Sequence, residues 1–129
     1  MSRIPIVPRY LQGCGADLDI LPGIISGDHV FLTGMTGSAP DGAMPQDPED
    51  QFTGAFAKIG AVLAEAGGSL DDVVEMTSYH ISLKVHFDVF DAVRKDVLKA
   101  PYPAWTAVEV AGLRRDGALV EIRAIARRG

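Results

Sequence analysis

The sequence predicts an α+β domain in which two helices cover one face of a β-sheet. Segments with the two-residue alternation of strands are interleaved with two segments of helical periodicity. Gly and Pro residues separate these segments, as is typical of turns and loops. The chain has 129 residues, enough for one ordinary hydrophobic core, and no repeat or shift in composition suggests a boundary. We therefore expect a single domain over residues 1–129.

The first predicted strand is the segment DHVFLTG, Asp28–Gly34. Alternation places Val30 and Leu32 on one face of this strand and the apolar Phe31 on the other. A strand that is apolar on both faces is typically covered on both sides. Gly and Pro residues within residues 36–46 predict a loop after it.

The first helix begins after this loop. Asp47 can cap its N-terminus, and Pro48 suits its first helical position. Apolar residues then recur at helical spacing until Gly67, where the helix is expected to end. These residues are Phe52, Phe56, Ile59, Leu63 and Ala66.

A long strand and a second helix follow. Residues Val73–Leu83 (VVEMTSYHISL) are rich in β-branched and aromatic side chains with period two, which predicts a strand. The second helix is predicted at about Phe87–Leu98, where apolar residues recur along one side. Pro101 prevents its continuation.

Two final strands, Ala104–Ala111 and Ala118–Ile125, are predicted to form a hairpin around a turn at residues 115–117. In this hairpin, alternation sorts the side chains into two sets, and the set that includes Val120 suits the face covered by helices. The other set contains Trp105, Ala107 and Glu109 together with Leu119, Glu121 and Arg123.

The face that carries Trp105 and Glu121 is expected to lie against another subunit. Two helices can cover only one side of a sheet, and the second side is too apolar for water yet too charged for the core of a monomer. Glu109, Glu121, Arg123 and the Trp105 indole can share one surface there, close enough to contact one small ligand. The alternative is an interfacial salt bridge beside a packing Trp, since ion pairs and aromatic side chains are common at subunit contacts.

Charge and composition argue against several classes of protein. The net charge of −5 and the lack of a dense basic surface argue against nucleic acid as the main partner. No apolar stretch is long enough to span a membrane and no secretory signal is recognisable, so we expect a cytoplasmic protein. Cys14 is the only cysteine, and the 3 histidines lack the spacing of metal ligands. Neither a metal nor a cofactor is therefore expected.

The C-terminal part of the chain carries a pattern similar to that of a known family. The stretches YPAWTAVEVAGL, Tyr102–Leu113, and LVEIRAIA, Leu119–Ala126, resemble the signature of the RidA/YjgF family of imine and enamine deaminases. Thr33–Gly34 resembles the Ser-Gly or Thr-Gly that follows the early strand in this family. The order of elements is also similar, so the resemblance covers nearly the whole chain. The residues that fit the C-terminal signature are Pro103, Ala104, Val108, Ala111, Leu113, Val120, Glu121 and Ile122.

The resemblance implies a chorismate-mutase-like α+β fold with a mixed sheet, two helices on one face, and assembly as a homotrimer. It also implies that a small-molecule ligand binds in clefts between subunits, with Thr33 and Gly34 among the substrate-binding residues. The glutamate that matches Glu121 holds the attacking water in the family. The implied reaction is hydrolysis of a C=N bond without a cofactor.

Three positions depart from the family pattern. Trp105 stands where the family has the Arg that grips the substrate carboxylate, which implies an altered specificity with stacking in place of ion pairing. The Tyr that lines the pocket in the family falls near Ile20. Arg123 replaces an acidic residue, and it either supplies a relocated anion grip or pairs with Glu121 or Glu109.

These departures leave two kinds of function open. The first is an imine or enamine deaminase with Glu121 as its catalytic residue and Trp105, Thr33, Gly34 and Arg123 as substrate-binding residues. The second is a non-catalytic trimer that binds or senses a small metabolite. Ribonuclease and translation-inhibitor activities have also been ascribed to the family, but the acidic balance of this chain argues against RNA binding.

Overall fold

A computed structural model describes residues 3–8 and 20–128 of the chain. Within these ranges the strands are β1 (Ile4–Ile6), β2 (Gly23–Ser26), β3 (His29–Met35), β4 (Val73–His80), β5 (Ala104–Glu109) and β6 (Val120–Arg127), and the helices are α1 (Pro48–Glu65) and α2 (Leu83–Val97). The strands form one mixed sheet in the order β1-β2-β3-β6-β4-β5. Both helices pack on the same face of this sheet. The predicted α+β fold class is therefore confirmed.

Helix α1 begins where the sequence predicts. The Asp47 side chain accepts a hydrogen bond from the Glu49 N–H at 2.9 Å, and Pro48 is the first helical residue. Its apolar stripe faces the sheet, with Phe52 0% and Phe56 1% exposed. The core of the fold lies between this stripe, α2 and the covered face of the sheet.

The boundary between β4 and α2 differs from the predicted one. The strand ends at His80 rather than Leu83, and the helix begins at Leu83 rather than Phe87. Ser82 adopts a left-handed conformation with a φ of 52°, which turns the chain between the two elements. The Glu109 carboxylate then accepts a hydrogen bond from the Leu83 N–H at 2.9 Å. A residue distant in sequence thus caps the helix, and local periodicity cannot reveal such a cap.

The predicted hairpin between the last two strands is wrong. β5 pairs with β4 in the parallel direction, and β6 lies between β3 and β4, antiparallel to both. The inward residues of β6 are at most 2% exposed, as expected for a central strand, and they are Val120, Ile122, Ala124 and Ala126. The turn signals near Gly117 mark a change of direction, but they do not identify the strand beside which β6 lies.

Two short strands have no counterpart in the sequence prediction. β1 has 3 residues and β2 has 4, and they pair antiparallel to each other, with β2 also pairing with β3. Segments of this length are too short to show a reliable period. Cys14, the single cysteine of the sequence, lies outside the described residues.

Within residues 3–8 and 20–128, no helix is both long enough and apolar enough to cross a bilayer. The expected cytoplasmic location stays a prediction.

Candidate functional site

The face of the sheet opposite the helices carries a block of polar side chains. Tyr79 of β4 lies directly opposite Glu121 of β6, and Thr77 lies directly opposite Arg123. Side chains opposite each other in antiparallel strands have Cβ atoms about 4.5–5.5 Å apart, and neighbours two residues along a strand are about 6–7 Å apart. These four residues, called the polar block below, can therefore contact one small molecule together.

The Glu121 carboxylate lies over the backbone of Gly34 in β3. An ideal Cβ at position 34 would be 2.5 Å from Oε2 of Glu121 and 2.8 Å from its carboxyl carbon. The strand register shifts between Leu32 and Met35, so that Thr33 and Gly34 together face one residue of β6. Such β-bulges are common beside functional sites. The structure thus places Glu121 against Gly34, the neighbour of Thr33; the functional roles of these three residues stay a prediction.

The side chains of the polar block are available to a ligand. Ser78 and Ile122 alternate with the block and are 0% exposed under the helices, so the block faces the uncovered side. Among the described residues, none forms a hydrogen bond or ion pair with the side chains of Tyr79, Glu121 or Arg123. The predicted pairing of Arg123 with Glu121 or Glu109 is therefore not present within one chain.

Thr33 joins the bulge to the segment that precedes β2. Its N–H donates a hydrogen bond to the Pro22 carbonyl at 3.0 Å, and its hydroxyl donates one to the Leu21 carbonyl. The hydroxyl oxygen of Thr33 keeps its capacity to accept a hydrogen bond. Ile20, near the position where the family has its Tyr, is 43% exposed beside this segment.

Trp105 does not share a surface with Glu121, contrary to the prediction. In the parallel pairing of β4 with β5, Trp105 lies beside Met76, which is 2% exposed under the helices. The indole N–H donates a hydrogen bond to Ser78 Oγ at 2.8 Å. Trp105 therefore lies on the face that the helices cover. The prediction failed because it assumed that β5 and β6 are hairpin partners.

Side chains of α2 surround the Trp105 ring. The Arg94 guanidinium carbon lies 4.3 Å from the indole centroid, and Phe87 stacks at 5.9 Å with an interplanar angle of 11°. The Asp91 carboxylate accepts hydrogen bonds from Arg94 and holds its guanidinium in place. These hydrogen bonds, and secondarily one from Lys95, lower the pKa of Asp91. The indole is thus already engaged within the chain.

Glu109 and the buried histidine also lie away from the polar block. Glu109 caps α2, and His80 is 1% exposed with Nε2 2.8 Å from Ser78 Oγ. The Ser78 hydroxyl also accepts the Trp105 N–H, so it links the indole to the imidazole. Burial, and secondarily the nearby His86, lowers the pKa of His80 to about 4. In the described ranges no group of three or more His, Cys, Asp or Glu side chains could hold a metal ion.

Tyr79 is a member of the site that the sequence analysis did not single out. Its position within β4 was recognisable from the alternation of VVEMTSYH. Its place opposite Glu121 depends on β6 lying beside β4, and no local signal reveals that neighbour. The predicted hairpin instead put Trp105 in this place.

Comparison with known proteins identifies close relatives by sequence. Residues 21–128 match the family model described as Endoribonuclease L-PSP. The RutC family protein YjgH of Escherichia coli strain K12 is 40% identical over 128 residues, which cover 98% of this chain and 96% of the relative. A second protein of this strain, named "Putative reactive intermediate deaminase TdcF", is 32% identical over 115 residues, which cover 87% of this chain and 88% of the relative.

Solved structures give the same result. Protein YjgH aligns with a TM-score of 0.91 at 34% identity, covering 99% of this chain and 98% of that chain. RidA from the Antarctic bacterium Psychrobacter sp. PAMC 21119 aligns with a TM-score of 0.80 at 33% identity, covering 84% and 88%. E. coli TdcF with bound serine aligns with a TM-score of 0.79 at 32% identity, covering 85% and 88%. The chain therefore belongs to the RidA/YjgF family.

Proposed function

We propose that the chain is an imine or enamine deaminase that hydrolyses a small-molecule C=N bond with water held by Glu121. The observation that carries the proposal is the Glu121 carboxylate, which lies over Gly34 on the uncovered face without a partner among the described residues. A carboxylate so placed can hold a water molecule and accept its proton. Kinship with TdcF, whose name points to this chemistry, supports the proposal.

The reaction consumes one water and releases ammonia. The water oxygen bonds to the carbon of the C=N group while Glu121 accepts a proton from that water. The π electron pair moves to nitrogen, which takes up a proton, and the product of this step is a carbinolamine. The C–N bond then breaks as nitrogen takes up a further proton and the carbinolamine hydroxyl gives up its own, which leaves a carbonyl compound and ammonia.

The proposal includes a homotrimer of single-domain chains with the ligand at the subunit interfaces. An apolar row borders the polar block on the uncovered face, where Phe31 pairs with Ile24 on one side and Ile125 on the other. Phe31 is 40% exposed in the single chain. Exposed apolar surface beside a polar site is typical of a subunit contact. A second copy would cover this row and enclose the polar block.

We assign substrate binding to Thr33, Gly34 and Arg123. The unpaired guanidinium of Arg123 is suited to an anionic group, because guanidinium and carboxylate form charge-assisted hydrogen bonds. Trp105 stands where the family has an Arg, and the loss of that guanidinium is what alters the specificity. Since β5 is an edge strand, Trp105 contacts substrate only if that edge reaches a cleft of a neighbouring copy, and this role stays a prediction.

The test uses imines generated from several amino acids by an amino acid oxidase, with semicarbazide to trap and measure the imine that remains. We expect the purified protein to accelerate the loss of at least one imine. Glu121→Gln keeps the side chain's size and removes its charge, so it should lower the rate about 100-fold or more. Glu65→Gln, at the exposed end of α1, is the matched control and should retain full activity.

Inactivity towards every imine, or full activity of Glu121→Gln, would contradict the mechanism. The alternative function is a non-catalytic trimer that binds or senses a metabolite, which the loss of the guanidinium at Trp105 favours. Mass spectrometry separates the two, because a sensor returns its ligand unaltered and a deaminase releases a carbonyl product. We do not propose RNA hydrolysis, which the description of the family model names, because the net charge of −5 disfavours phosphate binding.

A further inference from the structure

We infer that Tyr79 is a second catalytic residue of this site, whose phenolic hydroxyl donates a hydrogen bond to the nitrogen of the C=N group that Glu121 hydrates. The inference rests on the proposed function, and it deepens that function by naming the donor to the leaving nitrogen. Four observations support it: the strand register, the direction in which Glu121 leans, the unpaired hydroxyl and the apolar neighbour on β5.

The strand register places Tyr79 and Glu121 in the same row of the sheet. They are direct partners in the antiparallel pairing of β4 with β6. Ser78 and His80, on either side of Tyr79, are 0% and 1% exposed beneath the helices, so Tyr79 projects from the uncovered face. Because strand side chains stand roughly perpendicular to the sheet, the phenol and the carboxylate rise side by side.

Glu121 leans away from Tyr79. Its carboxylate occupies the space above Gly34 in β3, on one side of β6, whereas Tyr79 belongs to β4 on the other side. The carboxylate is thus displaced across β6 in the direction away from the strand that carries the phenol. In the inferred complex a small planar C=N group lies above β6, with its carbon beside water held by Glu121 and its nitrogen towards the Tyr79 hydroxyl.

The Tyr79 hydroxyl is free to bind a ligand. No residue within 3–8 and 20–128 forms a hydrogen bond with it, and no buried side-chain oxygen or nitrogen in these ranges lacks a partner. The hydroxyl of this half-buried residue is therefore accessible rather than sealed in the protein. Val108 of β5 lies beside Tyr79 and lines that side of the phenol with apolar surface. An apolar neighbour strengthens a hydrogen bond made there, because it excludes competing water.

Hydration of the C=N group requires a proton donor at nitrogen, and the Tyr79 hydroxyl can supply that proton. As water adds to the carbon of a neutral imine, the π electron pair moves to nitrogen, which becomes basic and takes the phenolic proton. Glu121 meanwhile holds the proton taken from water, and it can return that proton to the phenolate through a bridging water. Both groups regain their starting state, and the donor acts mainly in the transition state, where its loss lowers kcat more than it raises KM.

Tyr79→Phe tests the inference, because it removes the hydroxyl and keeps the ring. We expect kcat for imine hydrolysis to fall about tenfold to a hundredfold, with KM changed by less than about twofold. Thermal unfolding of the variant should match that of the unaltered protein, since the lost hydroxyl has no partner within the described residues. Tyr102→Phe is the matched control: its phenol is exposed beside Arg94, and its loss should leave kcat unchanged.

The outcomes separate this inference from the proposed function. Unaltered kcat in Tyr79→Phe, with Glu121→Gln inactive, would overturn the role of Tyr79 and leave the deaminase proposal intact. A raised KM with unaltered kcat would also overturn it, since the hydroxyl would then serve binding alone. Failure of the unaltered protein to hydrolyse any imine would overturn the proposed function, and the inference with it.

Discussion

The Glu121 carboxylate occupies the space that a side chain at position 34 would fill. An added Cβ on Gly34 would lie 2.5 Å from Oε2 of Glu121, closer than Cβ atoms are found to any heavy atom. Gly34 does not have a positive φ, so the position requires room rather than a special backbone conformation. Glycine in β3 thus determines where the carboxylate of β6 can lie.

Gly34→Ala should therefore displace the Glu121 carboxylate and lower imine hydrolysis. The new methyl group meets the flexible end of a side chain rather than backbone, so the fold should persist. A shift of about 1 Å in a positioned group can cost on the order of 100-fold in rate, and we expect a loss of at least about tenfold. Steady-state kinetics, with thermal unfolding as a check on folding, measures the effect.

Gly112→Ala is the control for this substitution. An added Cβ at Gly112 has no heavy atom within 4 Å, and this glycine does not have a positive φ. Gly112→Ala should thus retain full activity. Equal activity of Gly34→Ala and Gly112→Ala would show that the Glu121 carboxylate does not need its position over residue 34.

The buried His80 predicts that the protein loses stability as pH falls from about 6.5 towards 4. Its pKa is lowered from 6.5 to about 4, so the folded state keeps the imidazole neutral while the unfolded state binds a proton in this range. The free energy of unfolding should fall by about 3 kcal/mol across that window, since each pKa unit corresponds to about 1.4 kcal/mol. Denaturant unfolding at several pH values and one protein concentration measures this slope.

His80→Gln isolates the contribution of this imidazole. The variant is destabilised at pH 7, because Ser78 loses its ring-nitrogen partner, but its stability should depend less on pH between 6.5 and 4. His29→Gln, at a partly exposed position beside Asp28, should keep the pH slope of the unaltered protein. Identical slopes for His80→Gln and the unaltered protein would contradict the assignment.

Elements with local signals were predicted from the sequence, whereas the pairing of distant strands was not. The start of α1 follows from Asp47 and Pro48, whose effects act within one helical turn. The position of β6 is set by contacts with its two partner strands, β3 and β4, and with α1 at once. Turn residues near Gly117 carry no information about such distant partners, and they predict pairing only between strands that are neighbours in sequence.

The unknown pairing of distant strands also limited the prediction of the site. The resemblance to the family points to Glu121, Thr33 and Gly34, and in the structure Glu121 lies against Gly34, the neighbour of Thr33. Trp105 was placed beside Glu121 by an assumed register, and Tyr79 holds that place instead. Alternation gives the two faces of each strand, but the partner strand decides which faces coincide.

Trp105→Arg should destabilise the protein rather than restore the pattern of the family. The indole packs under the Arg94 guanidinium at 4.3 Å and bonds Ser78, so a second guanidinium would meet a like charge and leave the Ser78 hydroxyl without its donor. We expect a loss of about 2 kcal/mol or more in the free energy of unfolding, from the lost packing and hydrogen bond.

The double variant Trp105→Arg/Arg94→Leu tests the cause of that loss. Removing the Arg94 charge should recover part of the stability, whereas Arg94→Leu alone removes a cation–π contact and should be destabilising. Lys95 pairs with Asp91 at 3.0 Å in the unaltered protein, and this ion pair should persist in these variants. Additive effects in this cycle would contradict a repulsion between positions 94 and 105.

Arg123 should select anionic substrates, because it is the exposed cation of the polar block and has no ion-pair partner among the described residues. Arg123→Gln should raise KM for imines that carry a carboxylate by about tenfold, the loss expected for one charge-assisted hydrogen bond, and leave uncharged imines unaffected. Arg127→Gln is the matched control, because Arg127 lies on the same face of β6 but is paired with Asp28. An equal change for charged and uncharged imines would show that position 123 acts on structure rather than on substrate charge.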